Sequence, residues 1–306
     1  EIIAHMHADV REEFRDHVIG GRNLFPAVGF IEMAVAAVVA LPKNQLHGTV
    51  ELLEVMFLVP VELLDGDEME VITCRLNSKD GNMKFSSSSA SIVCTIHRSG
   101  HLRLNQTSLM DGPNLGDIKS RCNILVDGLQ KRYDHLESYG LHKRRYQTLE
   151  AAWQSKTKTE LLARIMMRED LDSAGRIPTE FEDSFHGIHP ALIDGVLQLA
   201  GLIPNKSLHG IYVPASIGLV HFNTRPRAKR TTYIWGYAKM LSDTSTGREF
   251  DYFIFDDSAN LIAIFKRFLL RELKEELELR SDAAALCAVT WEPSKQETKP
   301  NNNLEI

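Results

Sequence analysis

The chain twice sets an almost wholly apolar helical segment ahead of a train of β-rich stretches, and this echo constrains the fold more than any other feature. Phe25-Pro26 opens the first segment, Val28 to Leu41, which is rich in Ala and Val. Proline near the first turn and small residues along the length predict a helix buried nearly all round. His189-Pro190 opens the second, Ala191 to Ile203, which Pro204 closes. Strand candidates follow the first helix at His47 to Leu63, Glu68 to Asn77, Lys84 to His97 and His101 to Asn105. Asp65-Gly66 and Asp80-Gly81 lie between them as turn signals. After the second helix the candidates are Gly210 to Phe222, Thr231 to Leu241, Phe250 to Asp256 and Leu261 to Arg271. Asp243 to Gly247 and Asp257 to Asn260 read as hairpin connections. The plan predicts two similar α+β units side by side, each an antiparallel sheet wrapped around a buried helix.

Between the halves, Gln106 to Asp117 is polar, contains Gly and Pro, and reads as a linker. Val126 to Ser138 reads as an amphipathic helix opening the second unit. Arg271 to Arg280 is charged and is expected to leave the fold, and Ser294 to Ile306 is expected to be disordered. With 43% apolar and 25% charged residues, the 306-residue chain can bury a sizeable core as a soluble protein. A net charge of -6 argues against nucleic acid or an anionic membrane as partner. The short basic clusters, Lys143-Arg144-Arg145 and Arg225 to Arg230, read as solvated faces.

Cys74, Cys94, Cys122 and Cys287 form no CxxC pair, which argues against a disulfide framework or a zinc site and for a reducing cytoplasm. No stretch approaches the ~20 apolar residues of a membrane span, and the start lacks the pattern of a signal peptide. His186 lies three residues before His189 without a third ligand nearby, so no metal site is expected. His5 and His7 alternate with apolar neighbours on an opening strand, and His47, His97, His101, His209 and His221 fall at strand ends as structural residues.

Two constellations carry chemistry, one at the mouth of each buried helix. In the first, His17 precedes Gly20-Gly21, and Pro26 starts the helix. Glycines there permit a ligand to approach the backbone closely, and a helix start offers free N–H groups to an oxyanion. The same spacing also suits a histidine capping a surface loop. In the second, Asp194 is a lone acid inside an apolar helix, where an unpaired carboxylate is costly. Gln198 lies at i+4 on the same face. A carboxyl among apolar residues is expected to keep its proton near neutral pH and to serve as a donor. The other reading is an acid satisfied by a cap or a buried partner.

Both segments resemble the dehydratase domains of polyketide synthases and animal fatty acid synthases. His17, Gly21 and Pro26 match the family's His-xxx-Gly-xxxx-Pro, and Gly29 to Ala34 is similar to its Gly-Tyr-Leu-Glu-Met-Ala. His189, Pro190, Asp194 and Gln198 match His-Pro…Asp-xxx-Gln. Tyr212 to Ile217, with Pro214, resembles the Leu-Pro segment that lines the family's tunnel. Ala288 to Pro293 is similar to the strand that begins the next domain in such synthases. The resemblance covers residues 14 to 293.

It implies a double-hotdog fold, with an N-terminal hotdog at 1–117, a C-terminal hotdog at 118–280 and a linker toward a following domain at 281–306. It further implies His17 as the base for the C2 proton and Asp194 as the acid for the departing C3 hydroxyl of a 3-hydroxyacyl thioester. Gln198 would orient Asp194 or the hydroxyl. The backbone around Gly21, Ala27 and Val28 would face the thioester oxygen. No metal or organic cofactor is implied, because the substrate is tethered through the phosphopantetheine of an acyl carrier protein. That carrier and neighbouring synthase domains are the implied partners, and such domains often sit in homodimers.

Two departures stand out. Ala27 occupies a position that is usually Gly. The family's Gly-xx-Tyr-Gly-Pro-x-Phe is matched by Gly140 and by Tyr146-Gln147 only, with one residue deleted and neither its Tyr nor its Gly-Pro present. Since that tyrosine helps to hold the leaving hydroxyl, its loss opens two alternatives: closure of a cyclic ether by addition of a distal hydroxyl, and a non-catalytic module of the synthase.

Overall fold

Burial explains why the two apolar helices carry so little polarity. In the computed structural model, α1 (Ala27–Val39) has Val28, Ile31, Ala34 and Val35 fully buried. The structure describes residues 2–5, 14–19, 21–39, 49–57, 61–63, 71–76, 82–87, 94–97, 112–138, 144–166, 188–204, 211–223 and 233–273. The second apolar segment forms α4 (Pro190–Leu197), in which all eight residues are buried, followed by a short α5 (Leu199–Leu202). One long helix was expected here. Gln198 falls between the two pieces, although its backbone N–H still reaches Asp194 O. Among the described residues, the helical elements between the buried helices are α2 (Leu115–Arg121), α3 (Leu129–Ser138) and a 3₁₀ turn at Arg144–Tyr146.

The strands are antiparallel throughout. The first half supplies β1 (Ile2–His5), β4 (Thr49–Met56), β5 (Val71–Leu76), β6 (Asn82–Ser87) and β7 (Cys94–His97) to the main sheet. The second half supplies β8 (Cys122–Leu125), β9 (Leu149–Ser155), β10 (Glu160–Ile165), β11 (Ile211–Asn223), β12 (Ile234–Thr244), β13 (Gly247–Phe255) and β14 (Leu261–Leu273). The order is β1-β5-β6-β7-β4-β11-β14-β13-β12-β10-β9-β8, so the two half-sheets join edge to edge through β4 and β11 into one twelve-stranded sheet. A separate hairpin, β2 (Val18–Ile19) and β3 (Arg22–Asn23), leads into α1. The helices α1 and α4 touch each other, and α4 packs on β10, β12 and β13. This is the expected double-hotdog plan.

Alternation along β12 shows how the sheet is covered on both faces. Ile234 and Ala238 join the main core around α4, while Trp235 and Tyr237 join a second, smaller cluster with Leu115, Ile118 and Cys122. The second cluster is therefore roofed by α2, whose N-terminus is capped by the Asn114 side chain at 2.7 Å from the amide of Gly116. The expected linker, Gln106 to Asp117, thus overlaps a capped helix in its last residues. β9 and β10 were not foreseen as strands. Residues Glu1–Leu273 form one unit and Lys274–Ile306 a second, which lies outside the described residues. The expectations for His101 to Asn105, for His7, His47, His186 and His209, for the Ala288 to Pro293 strand and for the disordered tail also fall outside them. Among the described residues no helix is long and apolar enough to cross a membrane, and no group of three His, Cys, Asp or Glu could hold a metal ion.

Candidate active site

The β2–β3 hairpin sets His17. Val18 pairs with Asn23 and Ile19 with Arg22, and Gly21 lies in the turn of this hairpin. Gly21 has φ +75°, a left-handed conformation that most residues adopt only at a cost, and a Cβ there would meet nothing within 4 Å. The turn therefore needs a residue that accepts this conformation, and the space over Gly21 is open. The strand reversal brings Leu24 back beside His17, and the two backbones bond at 3.1 Å from Leu24 N to His17 O. The Leu24 carbonyl also lies 2.7 Å from His17 Nδ1. A carbonyl can only accept, so Nδ1 carries the hydrogen and neutral His17 presents a bare Nε2.

That Nε2 faces Asp194 Oδ1 at 3.8 Å, with both side chains buried. The distance exceeds a direct hydrogen bond. Asp194 sits mid-way along α4, which starts at Pro190 with the His189 ring as N-cap, Nδ1 accepting from Ala191 N at 3.2 Å. Close packing holds the helix in place. A Cβ on Gly195 would collide with Thr148 Oγ1 and lie 3.0 Å from Ile165 Cγ2. Thr148 Oγ1 itself donates to Ala191 O at 3.4 Å.

The other carboxylate oxygen is held by Gln198, whose Nε2 donates to Asp194 Oδ2 and to the carbonyl of Tyr146, both at 2.8 Å. Gln198 Oε1 accepts from the Tyr133 hydroxyl at 2.9 Å, and that hydroxyl accepts in turn from Leu149 N at 3.1 Å. Tyr146, fully buried, also sets its ring edge-on to His17, with centroids 5.2 Å apart. Next to it, Arg145 N donates to Asp16 Oδ2 at 3.2 Å, tying the segment of the second half to the residue before His17. Below the site, the Tyr252 hydroxyl donates to Leu197 O at 3.3 Å, and burial pushes its phenol far above the usual range.

Among the expected site residues, the structure brings His17, Asp194, Gln198 and Tyr146 together. Pro26 is buried directly ahead of α1, its carbonyl accepting from Gly29 N at 2.9 Å. Because α1 begins at Ala27, the amides of Ala27 and Val28 have no acceptor within the helix. Pro214 lies in β11 at a bulge between Pro214 and Ser216, where a residue without an N–H is tolerated. It is thus placed in the sheet, outside the hydrogen-bonded group around Asp194. Tyr133 was not singled out from the sequence, where it is one apolar position of an amphipathic helix. Its spacing carries no signal of a partner 65 residues away.

Two family models match the chain. One, described as polyketide synthase dehydratase domain, covers residues 4–90. The other, described as polyketide synthase dehydratase N-terminal domain, covers residues 111–280, more than half of the chain. The polyketide synthase PksM of Bacillus subtilis (strain 168) is 22% identical over 309 residues, covering 94% of this chain and 7% of that protein. The chain thus spans a small part of that relative. The dehydratase domain from the CurF module of the curacin polyketide synthase has a TM-score of 0.70 at 16% identity, covering 89% of this chain and 93% of that one. The CurK dehydratase matches as an Asp-to-Asn and as a His-to-Phe variant, both described as inactive mutants. The TM-score is 0.68 for each, at 17% and 18% identity, covering 89% and 90% of this chain and 92% and 93% of those. The twelve-stranded sheet around two buried helices, the facing histidine and aspartate, and these matches agree: the chain belongs to the polyketide synthase dehydratase domain family.

Proposed function

We propose that the chain is the dehydratase of a modular polyketide synthase and removes water from a 3-hydroxyacyl thioester on an acyl carrier protein, giving a 2-enoyl thioester. The observation that carries this reading is the pair His17 Nε2 and Asp194 Oδ1, buried and 3.8 Å apart, each with its other polar atom already engaged. Such a gap lets both groups reach adjacent substrate atoms from one side without bonding to each other. His17 takes the C2 proton, the C–H electrons form the C2–C3 double bond, and the C3–O bond breaks. The hydroxyl leaves as water with the proton of Asp194. The imidazolium and the carboxylate then differ from their starting states by one proton, which returns to Asp194 before the next turnover.

Positioned acid–base groups of this kind typically contribute ~10²–10⁴-fold each. The amides of Ala27 and Val28 at the start of α1 are assigned to the thioester oxygen, where one such donor is typically worth about 3 kcal/mol. The chemistry is complete with two proton-transfer groups and needs no metal or organic cofactor, the acyl chain being presented on phosphopantetheine. The CurK variants support the assignment, since a histidine and an aspartate are the residue types whose replacement is described there as inactivating. In the same reading, residues 1–117 and 118–280 are the two hotdog halves, 281–306 leads to a neighbouring synthase domain, and the domain works in the cytoplasm within a homodimeric synthase.

The test is a 3-hydroxyacyl thioester on a carrier protein or pantetheine mimic, followed by mass. Wild type is expected to give a product lighter by one water, and His17→Ala and Asp194→Asn to lower the rate at least ~100-fold. No loss of water with either hydroxyl epimer over several chain lengths would sink the proposal. A substrate with a second, distal hydroxyl then reports ring closure directly.

A further inference from the structure

We propose that Tyr133 is a positioning residue that fixes which oxygen of Asp194 carries the transferable proton; this rests on the dehydratase reading above. The argument is one of donors and acceptors. The carbonyl of Tyr146 can only accept, so the group of Gln198 that faces it at 2.8 Å must be the amide NH₂. Its second hydrogen goes to Asp194 Oδ2 at 2.8 Å. The amide oxygen is thereby turned toward Tyr133, whose hydroxyl donates to it at 2.9 Å. The amide of Leu149 on β9 can only donate to that hydroxyl, so this contact does not compete for the hydroxyl's single hydrogen. Every bond in the chain from Leu149 to Asp194 therefore has one allowed direction. Its last member delivers an N–H to Oδ2, which disfavours a proton on that oxygen. The proton of the acid form is left to Oδ1, the atom that faces His17 Nε2.

Tyr133 is itself buried beside the site, at 3% exposure, on a helix outside the hairpin and α4. Without its hydroxyl, Gln198 Oε1 loses its donor in a half-buried position, and an unsatisfied polar atom drives the side chain to a new rotamer. Asp194 Oδ2 then loses its fixed donor, and the proton is shared between two orientations. Substrate binding is untouched, because no atom of Tyr133 is asked to meet it.

The experiment measures kcat and KM for loss of water by wild type, Tyr133→Phe, Gln198→Met, the double variant and Gln198→Glu, with folding checked by circular dichroism. Tyr133→Phe is expected to lower kcat roughly tenfold or more, with KM changed less than about twofold. In the Gln198→Met background the same change should alter kcat by less than about twofold, because Tyr133 acts through Gln198. Gln198→Glu sets an acceptor against Tyr146 O and Asp194 Oδ2 and should be slower than Gln198→Met. That comparison tests the donor direction at Asp194 Oδ2 on which the role of Tyr133 depends, whether or not Tyr133→Phe folds. Wild-type kcat in Tyr133→Phe, an equal loss in both backgrounds, or a Gln198→Glu as fast as wild type would overturn the inference while wild-type activity stands. A wild-type chain that releases no water overturns the dehydratase reading, and this inference with it.

Discussion

The two halves of the molecule share a plan, yet they hold their functional side chains by different means. In the first half, His17 is oriented by main chain: the β2–β3 hairpin returns Leu24, whose carbonyl accepts the Nδ1 hydrogen. In the second half, Asp194 is oriented by side chains, through Gln198 and Tyr133, on a helix packed too closely for any Cβ at Gly195. Main-chain placement depends on backbone conformation and tolerates most side chains. A side-chain chain of bonds depends on single atoms. The base is thus robust to substitution around it, and the acid is not.

The largest effect that sharpens this comparison is expected at Gly195. Gly195→Ala drives a methyl group into Thr148 Oγ1, so Thr148 must rotate and α4 must shift, at a cost of about 1–3 kcal/mol. Thermal unfolding should show the loss, kcat should fall with it as Asp194 moves, and adding Thr148→Ala should recover most of both. An unchanged melting temperature would show that the second half is looser than its packing implies. At Gly21 the space is open and only the backbone objects, so Gly21→Ala should cost about 1–2 kcal/mol by the strain of φ +75°. Gly21→Asn, better suited to that conformation, should cost less; equal costs would argue that the turn changes shape and that His17 is not held by it. The smallest effect is expected at Leu24. Leu24→Met keeps the carbonyl and nearly the volume, so stability should fall by less than about 1.5 kcal/mol. Its kcat should stay within about twofold of wild type, in contrast to Gln198→Met, and a large loss would mean that side-chain packing sets His17 as well.

Much of this architecture was legible because burial leaves a compositional trace. The two central helices announce themselves as runs of Ala, Val, Leu and Ile, and Asp194 stands out against such a run, with Gln198 one turn on. What was missed lacks that trace. Leu115–Arg121 buries only Leu115 and Ile118 and presents charge elsewhere, so it resembled the end of a linker, although Asn114 and Asp117 form a legible start signal. β9 and β10 are diluted by Ala, Glu, Gln and Arg, because one of their faces carries partly exposed residues such as Trp153 and Arg164. The split at Gln198 was not legible, since the segment stays apolar beyond it. Tyr133 was out of reach for a different reason: its partners, Leu149 and Gln198, are brought to it by the fold alone. Gly21 was legible as a glycine beside His17, but its left-handed φ in the turn emerges only from the fold.

The central claim is that His17 and Asp194 act as one unit on one substrate. Single-turnover rates of water loss for His17→Ala, Asp194→Asn and the double variant test it most directly. The account predicts that the double variant is no slower than the slower single variant, since removing either member already stops the concerted proton transfers. Losses that multiply in the double variant would show two groups working independently and would contradict it.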